Sequence, residues 1–334
     1  MLPSMRNSLN RAALSVCWCV LILGGAACQA SAPPLAEPTP LPAPAERSAE
    51  ASAAAAPASG VLFDDFTYTD QQSLINHGWI IRTEPGWPGV PDAVWAKNSV
   101  SFVEDADRAG NRLLRMTSST NGTVTRQTQF CHARKYLAGT YAARVRFTDR
   151  PSSGPAGDQI VQTFYLISPL KAPLDPDYSE IDFEYLPNGG WGSTTSLHLT
   201  TWETFSPEPH WQMDASSDTV AGSYDGWHTL VLHVGAGQVK YYVDEVLRAT
   251  QGGKFYPEVP MSINFNLWFI RDGLIKSAEI REYVEDVDWV YFEGGQALSP
   301  QEAEAKVQGL RQQAVKFQDT VPDQNPPLVS PCNF

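Results

Sequence analysis

Three carboxylates alternate with apolar residues in the segment YSEIDFEY. Ile181 separates Glu180 from Asp182, and Phe183 separates Asp182 from Glu184. Alternate side chains share one face of a β-strand, so we expect the three acids on one face and the apolar residues in the core. Carboxylates held this close repel one another, and the pKa of at least one of them should rise.

Carboxyl groups with separated pKa values suit glycoside hydrolysis, which uses an ionised nucleophile and a protonated acid. The Cα atoms of Glu180 and Glu184 should lie about 13 Å apart at ~3.3 Å per residue. A retaining mechanism needs carboxyls about 5–5.5 Å apart, which side chains leaning together on a concave strand can approach. Asp182 could hydrogen-bond Glu180 and help to separate the two protonation states. A solvated acidic edge and a calcium site remain alternative interpretations of the same spacing.

The composition and charge of the chain limit the classes of partner that it can bind. The chain has 334 residues, of which 43% are hydrophobic and 11% aromatic, which is sufficient for one β-rich domain of roughly 200–250 residues. The formal charge of -13 argues against nucleic acid, anionic lipid and sulfated polymers as partners, and favours a neutral substrate. No segment after residue 30 has the apolar run of about 20 residues that spans a bilayer.

The N-terminus is typical of an exported protein. Arg6 and Arg11 precede a short apolar run that ends at Cys28, which predicts a signal peptide over 1–28. Cys28 resembles a lipoprotein cleavage site, but Gly25 stands where such sites usually have Leu, so lipidation stays open. Residues 29–60 are rich in Pro and Ala and predict a disordered linker. A secreted protein or a lipid-anchored cell-surface protein is expected.

Cysteine usage agrees with export. Cys17 and Cys19 leave with the signal peptide, and Cys28 is lipidated or lost. Cys131 and Cys332 then remain as one candidate disulfide in an oxidising compartment. Two separate free thiols are the alternative.

The sequence after residue 60 predicts an all-β fold. Short apolar or alternating runs are separated by Gly, Pro, Asn and Asp, a pattern typical of a β-sandwich. The predicted strands include 140–147, 159–167, 180–186, 195–200, 228–234, 239–243, 261–269 and 287–292. Ser299, Pro300 and Glu302 form a capping signal, and Ala303, Val307, Leu310, Ala314 and Phe317 recur on one helical face. A helix packed on the sandwich, followed by an extended tail, is therefore expected.

The string EIDFE resembles the active-site signature of glycoside hydrolase family 16. Further strings resemble the family's strands in order: GTYAARVRF, DGWHTLVLHV, VKYYVDEVLRAT, MSINFNLWF and VEDVDWVYF. The resemblance implies a two-sheet antiparallel jelly-roll sandwich with a concave substrate cleft over 61–295. The helix and tail predicted from the capping signal then occupy 296–334.

The resemblance also implies roles for single residues. Glu180 corresponds to the nucleophile, Glu184 to the general acid/base, and Asp182 to the residue that assists the nucleophile. The positions expected to contact sugar in the cleft are Tyr178, Arg144, His198, Asn266 and Trp268. Asp288 corresponds to a ligand of a structural calcium, completed by backbone oxygens near Phe66. No cofactor is expected for catalysis.

Some positions depart from the family pattern. Ala142 stands where many members have a sugar-contacting Glu, and Glu245 replaces the usual Gly of a hairpin. The segments 168–178 and 191–211, the latter rich in Trp, have no clear counterpart. Specificity therefore stays open at this stage.

Together these features predict a retaining endo-β-glycanase acting as a monomer on a polysaccharide, with a neutral β-1,3 or mixed-linkage glucan as the expected substrate. A transglycosylase would use the same carboxylates and differ in whether sugar or water attacks the covalent intermediate. A non-catalytic, lectin-like glycan-binding module is the alternative from a different class.

Overall fold

The structure is a computed structural model that describes residues 59–207, 209–328 and 332. The predicted signal peptide, Cys28 and nearly all of the predicted linker lie outside these residues. Within them, no helix has both the length and the apolar character required to cross a bilayer.

The fold contains seventeen strands and two α-helices in the described chain. The strands are β1 Val61–Asp64, β2 Ile80–Ile81, β3 Val94–Trp95, β4 Val100–Glu104, β5 Arg112–Thr120, β6 Thr125–Cys131, β7 Gly139–Phe147, β8 Ile160–Ile167, β9 Glu180–Leu186, β10 Ser196–Ser206, β11 Gln212–Ala221, β12 Gly226–Gly235, β13 Gln238–Val243, β14 Val246–Gly252, β15 Ser262–Phe269, β16 Arg281–Gly294 and β17 Phe317–Asp319. The helices are α1 Gln71–Asn76 and α2 Pro300–Gln312, and short 3-10 turns lie at Lys97–Ser99 and Gly253–Phe255.

The strands form a two-sheet antiparallel jelly-roll sandwich, as predicted. The cleft sheet has the order β11-β10-β9-β8-β15-β6-β2. The outer sheet has the order β14-β13-β12-β7-β16. The two halves of the long strand β16 then pair with β5 and with β1. Strand β6 joins the two sheets, because its first residues pair with β5 and its last residues with β15.

The core lies between the sheets and fixes which face of β9 meets the cleft. Ile181, Phe183 and Tyr185 are fully buried there. Phe265 on β15 stacks with its ring centroid 5.1 Å from that of Phe164 and 4.9 Å from that of Phe130. Burying such side chains contributes about 1.5–3 kcal/mol each, so a one-residue slip of β9 would be strongly unfavourable.

Strand β11 was not predicted, and the helix was predicted too long. The sequence of β11, QMDASSDTVA, has little apolar periodicity, because the strand lies at the sheet edge and is largely exposed.

Helix α2 begins with the predicted capping box at Ser299 but ends at Gln312. Ala314 has a positive φ of 58°. Phe317 instead lies on β17, which pairs with β1, and its ring stacks on that of His77.

Helix α2 covers the outer face of the outer sheet. Ala303 and Val307 pack there against Trp289 and Ala142 in a separate buried cluster. Ala142 therefore lies beneath the helix and far from the cleft face, so its small side chain makes room for α2.

The expectation that Arg144 contacts substrate in the cleft is wrong. Arg144 lies on β7 of the outer sheet, where its guanidinium carbon lies 5.2 Å from the centroid of the Trp227 ring. Its Nε atom lies 3.7 Å from a carboxylate oxygen of Asp288. The strand was identified correctly, but it belongs to the sheet that does not carry the three acids.

The residues around Asp288 do not fit calcium. The Arg311 guanidinium of α2 donates to both carboxylate oxygens of Asp288, at 2.7 and 3.1 Å, and to its backbone carbonyl at 3.1 Å. Asn111 points its NH₂ group at the same carboxylate, at 2.8 Å. The Phe66 carbonyl accepts the Tyr68 amide. Calcium requires a shell of oxygen ligands, whereas Asp288 faces a cation and amide protons, so the expected calcium site is replaced by an ion pair.

The C-terminal segment is tied to the sandwich at two further points. Cys131 on β6 forms a disulfide with Cys332, with Cα atoms 5.8 Å apart. The ammonium of Lys135 donates to Asp319, to the Val321 carbonyl and to Asp323, at 2.8 to 2.9 Å. The described part of the segment after α2 is therefore anchored at Asp319, Val321, Asp323 and Cys332, although the expectation was an extended tail.

Glu285 is an acid inside the hydrophobic core. It lies on β16, is fully buried, and neither carboxyl oxygen has a hydrogen-bond partner of normal geometry among the described residues. Burial raises the pKa of Glu285 well above its usual range, which the nearby Thr163 amide offsets only in part. Burial therefore favours the protonated form of this carboxyl in the folded protein.

Because Arg311 pairs with Asp288, we expect the stability of the protein to depend on Arg311 and not on calcium. Arg311→Gln leaves a buried carboxylate without its main partner and should lower the free energy of unfolding by about 3 kcal/mol. Lys306→Gln on the same helix removes an exposed pair with Glu293 and should cost less than about 1 kcal/mol. Urea denaturation measures both. A melting temperature of the wild-type protein that falls with EDTA or rises with millimolar calcium would contradict this assignment.

Replacing the buried acid should stabilise the protein increasingly as pH rises. Because the folded-state pKa of Glu285 lies above its unfolded value of 4.5, the wild type loses about 1.4 kcal/mol per pH unit above that value until the folded pKa is reached. Glu285→Gln removes this loss. Unfolding free energies at pH 5 and pH 8 should show a larger advantage for the variant at pH 8, and an equal difference at both values would refute it.

Candidate active site

The three acids lie at the centre of the cleft sheet. In the register of β10, β9 and β8, Glu184 is flanked by His198 and Thr163, while Asp182 is flanked by Thr200 and Tyr165. Because paired residues share a face, these polar side chains converge on one side of the sheet. The alternation of β9 thus presents the acids to the cleft and the aromatic residues to the core.

Glu180 and Asp182 are bound to each other and to neighbouring aromatic residues. The Tyr178 hydroxyl donates to Glu180 at 2.5 Å, and the Trp202 indole N–H donates to Asp182 at 2.7 Å. A hydrogen bond between Asp182 and Glu180 lowers the pKa of Glu180 and raises that of Asp182. This interaction therefore favours ionised Glu180 and protonated Asp182.

Burial raises the pKa of all three acids. It raises the pKa of Glu180 to about 7, against the lowering effect of the hydrogen bonds from Tyr178 and Asp182. Burial, assisted by the charge of Glu180, raises the pKa of Glu184 to about 8. Burial and the charges of both glutamates raise the pKa of Asp182 well above its usual range. Glu184, with no hydrogen bond that favours its ionised form, keeps its proton to a higher pH than Glu180.

His198 stands beside Glu184 as a neutral group. Burial lowers the pKa of its imidazole. The ring contacts the hydroxyls of Ser193 and Ser196, each at 3.1 Å, and packs edge-on against Trp191. The imidazole can therefore hydrogen-bond a sugar hydroxyl without adding charge to the site.

A chain of polar side chains forms the floor of the cleft. Arg82 donates to Gln129 at 2.9 Å, and Gln129 donates to the Tyr165 hydroxyl at 2.7 Å. Asn266 donates to the same hydroxyl at 3.3 Å and accepts from Thr163 at 2.6 Å. The chain connects three strands, β6, β8 and β15, so the Asn266 side chain is fixed by its neighbours.

Tryptophan side chains form the walls of the cleft. A groove of about 920 Å³ runs past Glu184 and is lined by Trp87, Trp191, Trp202, Trp211 and Trp268. A smaller space of about 50 Å³ lies directly over Glu180, Asp182 and Glu184. The groove has the size of an ordinary ligand site, and indole faces can stack on sugar rings.

The structure brings most of the predicted site residues together and separates two of them. Glu180, Asp182 and Glu184 line the cleft with Asn266 and Trp268, and His198 lines the adjoining groove. Tyr178 is buried beneath the sheet surface and contacts Phe205, so it supports Glu180 and does not face sugar as predicted. Arg144, as described above, lies on the other sheet.

Sequence reasoning missed several residues of the cleft. Trp202 lies directly opposite Glu180 in the register, but the β10 strand was predicted to end two residues earlier. Tyr165 was within a predicted strand, and its cleft-facing position follows only from the pairing with Asp182. Trp87 comes from the segment between β2 and β3 and carried no recognisable pattern. Trp191 and Trp211 lie in a segment without a counterpart in the family pattern, but they could have been identified as cleft residues because they are tryptophans.

The arrangement can support acid–base and nucleophilic chemistry on a neutral ligand. Glu184 is suited to give a proton and Glu180 is suited to ionise. Asp182 lies between them on the strand, and its pKa is raised by the charges of both. Across the part of the chain described, no group of three or more His, Cys, Asp or Glu side chains is placed to hold a metal ion.

Solved structures with a similar fold include three bacterial enzymes. A Bacillus licheniformis β-glucanase is 16% identical with a TM-score of 0.50, covering 70% of this chain and 98% of its own. A Bacteroides ovatus family 16 protein of a mixed-linkage glucan locus, in complex with a G4G4G3G product, is 17% identical with a TM-score of 0.51, covering 68% and 98%. A Bacteroides ovatus family 16 endo-glucanase in complex with G4G3G-2F-DNP is 17% identical with a TM-score of 0.52, with the same coverage. At these identities the likeness shows the fold.

A search of curated proteins finds no significant match. The model of glycosyl hydrolases family 16 matches residues 91–290. This match covers more than half of the chain, includes the three acids of β9, and extends from the segment before β3 to β16. The chain therefore belongs to glycosyl hydrolases family 16.

Proposed function

We propose that this family 16 glycoside hydrolase is a retaining endo-β-glycanase. The observation that carries the proposal is the set of three interacting carboxyls on one face of β9, in which Glu180 ionises at a lower pH than Glu184. Retaining hydrolysis requires this order, because the nucleophile must be ionised while the acid is still protonated.

In the first step a Glu180 oxygen attacks the anomeric carbon while Glu184 gives its proton to the glycosidic oxygen. The bond between the anomeric carbon and the glycosidic oxygen breaks, and the leaving sugar departs with a new hydroxyl. In the second step Glu184 takes a proton from water, whose oxygen attacks the same carbon and breaks the ester to Glu180. The hydrogen bond with Asp182 favours ionised Glu180 in the free enzyme, against the effect of burial.

The groove favours an uncharged glycan. Besides Glu184, the charged side chains among its described lining residues are Asp92 and Arg271, while five of the others are tryptophans. A net charge of -13 also repels sulfated polymers. We propose a neutral β-1,3 or mixed-linkage glucan as the substrate, which agrees with the glucan-derived ligand named for one structural neighbour.

A non-catalytic lectin is less well supported than an enzyme. Holding three carboxyls in a largely dehydrated cluster costs stability by desolvation and repulsion. A binding module gains nothing from raised carboxyl pKa values, whereas a glycosidase needs them.

We also propose export to the cell surface or medium, which the N-terminal sequence and the Cys131–Cys332 disulfide support.

Replacing the proton donor should abolish most turnover. Glu184→Gln cannot protonate a leaving sugar, so the kcat/KM for lichenan or laminarin should fall by about 10²–10⁴. A nitrophenyl glycoside, whose leaving group needs little protonation, should lose less in its first step. Reducing-end release and nitrophenol release measure the two. Glu104→Gln, an exposed change on β4 of the outer sheet, is the control. Polymer turnover by Glu184→Gln within a few-fold of wild type would refute the assignment.

The activity should depend on pH as a narrow bell. The kcat/KM rises as Glu180 ionises near pH 7 and falls as Glu184 loses its proton near pH 8, because the profile of kcat/KM reports the groups of the free enzyme. Initial rates at low substrate concentration from pH 5 to 10 test this. A broad acidic optimum near pH 5 would show that the pKa of Glu180 is not raised.

A further inference from the structure

Trp87 crosses the cleft above the three acids. Its ring centroid lies 6.2 Å from that of Trp211 and 6.2 Å from that of Phe205, both at the β10–β11 wall. On the other side it lies 6.3 Å from Trp268 on β15. Strands β9 and β8 run between these walls in the sheet, so the Trp87 indole spans the groove over the strand that carries the acids.

The space beneath Trp87 is too small for a sugar. The small cavity bounded by Trp87, Pro88 and the three acids has a volume of about 50 Å³. Ligand sites typically have volumes of about 300–1,000 Å³, and the groove beside Trp87 reaches about 920 Å³. A sugar ring therefore does not fit in this space while the indole keeps this position.

The backbone around Trp87 is held in place, whereas the side chain is open to solvent. The Arg82 guanidinium donates to the Trp87 carbonyl at 3.0 Å, and Gln127 donates to the Pro88 carbonyl at 3.1 Å. At Gly89, with a positive φ of 100°, a Cβ would lie 2.2 Å from the Gln127 side chain. The Trp87 side chain is nevertheless 53% exposed. Moving the segment would break these backbone hydrogen bonds, whereas turning the half-exposed indole would break its ring contacts with Phe205, Trp211 and Trp268.

We propose that Trp87 is a gate that covers the acids in the free enzyme and is displaced by the incoming glycan. This proposal rests on the proposed binding of a glycan in the cleft. The gate has a kinetic consequence, because the closed indole slows association of the glycan. The other tryptophans of the groove, and not Trp87, then stack on the bound sugar. A simple stacking platform would have the opposite signature, because its removal would speed dissociation.

Association with a fluorescently labelled mixed-linkage gluco-oligosaccharide, measured by stopped-flow anisotropy in the Glu184→Gln protein, tests the gate. A minor open state populated at about 10% or less slows apparent association by the same fraction, so adding Trp87→Ala should raise the association rate constant by about tenfold or more. Trp191→Ala is the matched control, since Trp191 is 52% exposed and lines the groove without crossing it. It should speed dissociation and leave association unchanged.

An association rate in Trp87→Ala that is unchanged or lower would overturn the gate, even if the wild type hydrolyses glucan. Conversely, faster association in Trp87→Ala with no reducing ends released by the wild type would refute the proposed hydrolysis and leave the gate standing. Failure of the labelled oligosaccharide to bind any of these variants would overturn both.

Discussion

The alternation of one strand inside a closely packed sandwich is the constraint on which the site depends. Strand β9 has Ile181, Phe183 and Tyr185 locked in the core, and the pleat then leaves no position for Glu180, Asp182 and Glu184 except the cleft face. The acids cannot relieve their repulsion by turning away, because a shift of register would expose three apolar side chains. Core packing thus stabilises an arrangement of charges that the acids by themselves would oppose.

The neighbouring residues determine how far the pKa of each acid is raised. Hydrogen bonds from Tyr178 and Asp182 favour ionised Glu180, while Glu184 receives no comparable bond and stays protonated to higher pH. Trp202 on β10 favours ionised Asp182, which opposes the burial and charges that keep Asp182 protonated. Two glutamates on the same strand thereby acquire different pKa values, in the way that environment separates paired carboxyls in other glycosidases.

The parts predicted from sequence are those encoded locally. The bounds of β9, the face that its acids occupy and the capping box of α2 all follow from short-range patterns. The positions that failed depend on which strands become neighbours. Arg144 lies on β7, and the alternation of apolar and polar residues in a strand does not show to which sheet the strand belongs. Tyr178 precedes β9 at a point where the chain turns under the sheet. Asp288 meets Arg311 through a helix that follows the matched family region, and neither residue alone signals the pair. Trp87 reaches the cleft from a segment without periodicity.

The cover over the cleft and the unusual acidity of the site have a common origin. Burial is the largest cause of the raised pKa of Glu180, Asp182 and Glu184, and the indole of Trp87 bounds the small space of about 50 Å³ over them, which limits the water that they meet. A bound sugar ring that displaced Trp87 would occupy the same volume and keep the acids dehydrated. Glu184 would then remain protonated when substrate arrives, and the electrostatic interactions at the reacting carbon would stay strong because little water screens them. An indole that simply opened to water would instead let Glu184 ionise before reaction. The chemistry is therefore preserved when the open state is minor in the free enzyme and a sugar ring fills the vacated volume on binding.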